Sequence, residues 1–92
     1  MLNTTDLDTA ANDDRYLGFG YLAGRSYAEA ADRTRVDAEV IAYANTTGWT
    51  YEDLFAWANS KNGRWAADSL FSGTTFAQAV AWGLMNRPHA AR

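Results

Sequence analysis

Four Trp, five Tyr and four Phe, with no Cys anywhere in 92 residues, constrain this chain more than any other feature of its sequence. A domain of this length buries only about 60–65% of the surface its unfolded form exposes. Without Cys there is no disulfide or thiolate-bound metal to staple it. Each aromatic ring can bury about 150–250 Å², so a few rings can do much of the work of a small core. The same rings would also suit a recognition surface. An apolar share of 48% is that of a globular protein rather than a disordered one, and the length suits one domain and not two.

The apolar spacing predicts an all-α, compact bundle of four to five short helices with an aromatic-rich core. Residues 1–12 are rich in Asn, Thr and Asp and read as a loose acidic lead-in, with Leu2 and Leu7 its only large apolar anchors. The helical domain is expected over 13–87 and a mobile tail over 88–92. A first helix is expected from Asp13 or Asp14 to Ala31, although Gly18, Gly20 and Gly24 lie inside it and each costs about 1 kcal/mol relative to Ala. Alternation of Leu17, Phe19 and Tyr21 offers a strand over 16–22 as the competing reading. A second helix is expected from Thr34 or Arg35 to Asn45. There Thr34 and Asp37 have capping-box spacing, and Gly48 suits the left-handed position past its end. Thr50 and Asp53 cap a third helix that buries Leu54, Phe55 and Ala58. Asn59-Ser60-Lys61-Asn62-Gly63 reads as a stop and turn. A fourth helix follows over about 64–72, and a fifth carries Phe76 to Met85 and stops before Pro88.

Most chemical classes find no support in the residues. The single His, His89, stands four residues from the C-terminus, which leaves no set for a His-based metal site or a catalytic triad. The adjacent acids Asp13-Asp14 and Glu52-Asp53, and the pair Asp37 and Glu39, fit helix-start roles better than catalysis. Gly18-x-Gly20-x-x-x-Gly24 is one residue too long for a dinucleotide fingerprint. Gly20, Gly24 and Ala28 instead form a smooth stripe that suits close helix packing or a homodimer seam. The N-terminal stretch has no apolar signal region, and the uncharged run 69–86 is broken near Gly73, so a non-enzymatic, cytoplasmic protein without membrane, metal or cofactor is expected.

Charge is uneven along the chain. Residues 1–53 hold ten acids against four Arg, a balance of −6, whereas 54–92 hold Asp68 against Lys61, Arg64, Arg87 and Arg92, a balance of +3. Such polarity can orient a partner. The densest polar and aromatic cluster is Trp57, Asn59, Lys61, Asn62, Arg64 and Trp65. Trp and Arg are frequent interface hot spots, so these six residues are the candidate partner-binding set. A helix–turn–helix that binds DNA through the same 57–65 turn is the alternative, but its second helix offers one basic residue and the sequence pI is about 4.8. A homo-oligomer packed through Gly20, Gly24 and Ala28 is the second alternative.

The stretch Gly48-Trp49-Thr50-Tyr51-Glu52-Asp53-Leu54-Phe55-Ala56-Trp57-Ala58-Asn59-Ser60-Lys61-Asn62-Gly63-Arg64-Trp65 resembles segments of small uncharacterised accessory proteins of actinobacterial phages. The Ala- and Arg-rich, Lys-poor composition is similar too. The resemblance covers about a fifth of the chain. It implies a phage protein that binds and modulates a host protein, and it carries over no site residues.

Overall fold

The computed structural model describes residues 1–88, and its longest helix shows how local signals and tertiary demands divide the chain. In order, the elements are α1 (Thr5–Ala11), α2 (Tyr21–Arg25), α3 (Ala30–Thr47), α4 (Tyr51–Ala58), α5 (Lys61–Leu70) and α6 (Phe76–Ala81). The chain is a single all-α domain, with no strand among the described residues. No described helix is long and apolar enough to cross a membrane.

α3 ends as its sequence dictates. Gly48 adopts φ 85°, and the Trp49 and Gly48 amides donate back to the Ala44 carbonyl. Its start is five residues earlier than the Thr34–Asp37 spacing suggests, with Glu29 and not Thr34 at the N-cap. The Thr34 hydroxyl donates to the Ala30 carbonyl within the helix, and Asp37 turns inward, so the two form no capping box. At α4 the capping box is present. Thr50 Oγ1 accepts from the Asp53 amide, and the Asp53 carboxylate accepts from the Thr50 amide.

The expectation of a loose lead-in over 1–12 is corrected. α1 is seated with Leu7 and Ala10 fully buried. The Asp6 carboxylate accepts from the Asn3 amide to start the helix. The Asn45 side chain accepts from the Leu2 amide and donates to the Leu2 carbonyl, both at 2.8 Å, and so ties the segment to α3. The expected tail begins at the last described residue, Pro88, and 89–92, including His89, lie outside the described residues.

Residues 16–20 form neither the expected long helix nor the competing strand. Gly20 sits at φ 84°, ψ −155°, which L side chains rarely adopt. A Cβ there would also fall 2.1 Å from the Ala58 carbonyl oxygen. The chain therefore crosses the end of α4 as an irregular loop and turns helical only at Tyr21. The fifth expected helix is likewise shorter than 76–85, because α6 gives way to turns after Ala81.

Packing follows a column of rings. Phe71 lies 6.0 Å from Tyr21, Tyr21 4.9 Å from Trp57, Trp57 5.6 Å from Trp49, Trp49 5.9 Å from Tyr43, and Tyr43 5.8 Å from Phe76. The column joins α2, α3, α4, the end of α5 and the start of α6. Each such pair adds about 0.5–1.5 kcal/mol beyond the area it buries. Ala10, Ala44, Ala58, Ala66, Ala67 and Ala79 fill the spaces between, all buried. The most extensive helix contact is between α2 and α5. Gly63, inside α5, lets that helix lie on the end of α4, because a Cβ there would stand 2.2 Å from the Trp57 carbonyl oxygen. Gly63→Ala improves helix propensity by about 1 kcal/mol, yet here it forces α5 off the backbone of α4. Urea unfolding is expected to show a net loss of about 2 kcal/mol, in the range of overpacked cores; a gain would contradict this crossing.

Candidate functional site

The corner where α4 meets α5 gathers most of the residues that the sequence nominates for binding, and the fold sorts them. Trp57 is removed from that set. It is fully buried, packs at a tilt between Tyr21 and Trp49, and its Nε1 donates to the Leu84 carbonyl at 2.8 Å. It is a core pin between α4 and the segment after α6, and no partner can reach it without unfolding.

The expected five-residue turn is much tighter. Only Asn59 and Ser60 join the helices, and Lys61, Asn62 and Gly63 form the first turn of α5. Ser60 caps that helix: its Oγ donates to the Trp57 carbonyl at 2.7 Å and accepts from the Gly63 amide at 3.0 Å. Asn59 is half-buried and works as a clamp. Its Nδ2 donates to the Phe55 carbonyl, and its Oδ1 accepts from the Leu17 amide. A residue read as a turn former thus holds a strand of chain from 42 positions away.

α5 buries Gly63, Ala66, Ala67 and Leu70. Lys61, Trp65 and Asp68 fall on the opposite face, one helical turn apart, and all are exposed. Asn62 and Arg64 flank that face and are half-buried, with Arg64 Nε 3.1 Å from the Asp68 carboxylate. Trp65 keeps 54% of its surface open. Against the same corner, Asn59 places Leu17, which is 74% exposed, and next to it Phe19, which is 40% exposed. These two residues escaped the sequence reading, which set them inside a helix. The Gly-x-Gly flanks of Phe19 are the signal that could have revealed a presented loop.

Arg15 fixes the near end of this loop. Its guanidinium bonds Asp13 at 3.0 Å and Glu52 of α4 at 2.9 Å, and it lies 4.4 Å over the Phe55 ring. Hydrogen bonding from Arg15 holds the Asp13 carboxyl down at about 2 and also lowers Glu52.

The Gly20, Gly24 and Ala28 stripe is spent inside the molecule. Gly20 faces the Ala58 carbonyl, and a Cβ on Gly24 would meet Ala67 Cβ at 2.5 Å. The homodimer seam is corrected on this ground, because α4 and α5 of the same chain already occupy it. Ala28 remains at the edge of a groove between the α2–α3 corner and α5.

Beside the stripe lies the most buried charge in the fold. Asp37 accepts the Tyr21 hydroxyl at 2.6 Å and the Arg25 guanidinium at 2.6 Å, and Arg25 also reaches Asp8 of α1 at 3.3 Å. Burial and the nearby Asp37 carboxylate push the Tyr21 hydroxyl far above its ordinary range. Asp37 and Arg25 neutralise each other within the fold, and Arg33 closes the corner by donating to the Arg25 and Ala28 carbonyls. Among the described residues, no group of acids and His is placed to hold a metal ion.

These features define an all-α domain, with six helices among the described residues, an aromatic column inside and a second set of large apolar side chains outside. No family model, curated protein or solved structure matches the chain.

The anchoring of the 13–19 segment is open to titration. The depressed Asp13 and Glu52 groups contribute stability that is complete above their unfolded values and lost as pH falls through the folded ones. For Asp13 that window runs from 3.8 down to about 2. In Arg15→Gln, NMR titration of the Asp13 carboxyl is expected to return toward 3.8, and the signals of Leu17 and Phe19 are expected to broaden or move. An unchanged Asp13 titration would show that Arg15 does not anchor the segment.

Proposed function

We propose that this chain is a protein-interaction module that docks through the outer face of α5 together with the Leu17–Phe19 loop. The observation that carries the reading is the placement of large apolar side chains. Alanines fill core positions, while Trp65 on α5 and the Leu17–Phe19 loop, which Asn59 ties to the α4–α5 junction, are left outside. Isolated exposed apolar residues are ordinary. A Trp set among polar neighbours, with a loop clamped against the same corner, has the composition of an interface centre and its rim. Lys61, Asn62 and Arg64 supply that rim. The likeness of 48–65 to segments of phage accessory proteins supports a host protein as the partner.

The distribution of bonds disfavours the DNA-binding alternative. Arg15, Arg25, Arg35, Arg64 and Arg87 each hold a carboxylate, and Arg33 holds two backbone carbonyls. Phosphate binding needs cations free to displace counterions, and the exposed face of α5 offers Lys61 for this while presenting Asp68. Gel shifts at low salt are expected to show no retention of duplex DNA.

Affinity capture tests the docking reading directly. Trp65→Ala is expected to lose a captured partner by tenfold or more, about 1.4 kcal/mol. Its unfolding free energy is expected to stay within about 1 kcal/mol of wild type. Trp82→Ala, which alters an equally exposed Trp just past the end of α6, is expected to retain the partner. Equal capture by wild type and Trp65→Ala would remove α5 as the docking element.

A further inference from the structure

Beside the outer face of α5 runs a groove of about 380 Å³, walled on one side by α5 and on the other by the α2–α3 corner. That volume holds roughly a dozen waters at about 30 Å³ each, enough for one long side chain. Gly24 and Ala67 line the groove side by side, the Ala67 methyl resting where a side chain on Gly24 would stand. Phe71, half-buried and in the ring column, forms the inner wall, and Tyr27, 87% exposed, stands at the mouth.

The polar lining has one dominant sign. Glu29, Asp32 and Asp68 line the groove against Arg64 alone, and Arg64 is already paired to Asp68. Glu29 and Asp32 form no ion pair among the described residues. The dipole of α3 accounts for acids in its first turn. It does not account for the Glu29 side chain, which caps nothing, nor for an open slot with an aromatic ring left at its entrance.

We infer that this groove receives an arginine side chain from an extended segment of the protein partner. The inference rests on the reading of α5 as the docking helix and names what one part of the partner must present. An arginine matches each surface in turn. Its methylene stem lies against Gly24, Ala67 and Phe71, its planar head stacks on Tyr27, and its five donors meet the carboxylates of Glu29 and Asp32. A lysine would lose the stacking and the bidentate geometry. The net negative groove also complements a basic segment on approach.

The probe is an acetylated, amidated Ala-Ala-Arg-Ala-Ala peptide titrated at low salt into the isotope-labelled full chain and followed by NMR. Its counterpart carries citrulline, which has nearly the same shape and no charge. Saturable shifts are expected at Gly24, Ala28, Ala67 and Ser72. The citrulline peptide is expected to bind about fivefold or more weakly. Glu29→Gln combined with Asp32→Asn is expected to cost about fivefold or more with the arginine peptide, the scale of one or two exposed ion pairs. Spectra away from the groove report whether that variant is folded; if it is not, Glu29→Gln alone provides the same test. Absence of saturable shifts, equal binding of the citrulline peptide, or shifts centred on Asp6, Asp8 and Asp13 would overturn the inference. If the groove fails these tests while Trp65→Ala still loses the partner, the groove assignment falls and the docking reading stands. If the peptide binds as expected while Trp65→Ala keeps its partner, the groove stands and α5 is not the docking helix.

Discussion

Asp37 is where three helices become one structure. It sits on α3, yet its carboxylate is satisfied by Tyr21 and Arg25 of α2, and Arg25 extends the contact to Asp8 of α1. A carboxylate this far from water is tolerated only with a charged partner and its lone pairs occupied. The geometry meets both needs, at a cost in freedom: α2 can occupy one angle and one register against α3. A helix of five residues would not form alone. Here it is held at one end by this network and at the other by Gly20 against α4.

Once α2 is fixed, the aromatic column follows. Tyr21 presents its hydroxyl to Asp37 and its ring to Trp57 and Phe71. The same residue therefore links the polar network to the apolar core. Trp57 then reaches across to Leu84. Small residues at Gly20, Gly24, Gly63, Ala66 and Ala67 let the helices approach until little room remains for large side chains between α2 and α5. Trp65, on the far side of α5, stays outside, and the groove beside Arg64 opens where the α2–α3 corner turns away. The proposed docking surface is in this sense a product of how tightly the interior closes.

Local signals in the sequence were reliable where a signal involved only neighbours. The Thr50–Asp53 box, the left-handed Gly48 and the all-α class need no tertiary partner. The same logic failed where a distant group claimed the residue. Thr34 and Asp37 have capping spacing, but Arg25 and Tyr21 take Asp37. Leu2 and Leu7 looked too few to seat a helix, and Asn45, which receives Leu2, lies 43 residues on. The helical spacing from Tyr16 to Ala31 was real as a pattern, but positive φ at Gly18 and Gly20 breaks it. For the candidate site, Lys61, Asn62, Arg64 and Trp65 were found by composition. Trp57 was misplaced because its partner ring stands on α2, and Leu17 and Phe19 were missed because only Asn59 brings them to that corner.

A double-mutant cycle on Arg25 and Asp37, read by urea unfolding, tests the dependence of the fold on this network most directly. Arg25→Met strands the buried Asp37 carboxylate, and Asp37→Leu leaves Arg25 with Asp8 alone and the buried Tyr21 hydroxyl without its acceptor, so each single change is expected to cost about 3–5 kcal/mol. The double variant removes both charges and keeps much of the apolar volume, so its loss is expected to fall short of the sum of the two single losses by about 2 kcal/mol or more. Strictly additive losses, or single variants as stable as wild type, would contradict the account, because α2 would then be held in place by something other than the Asp37 network.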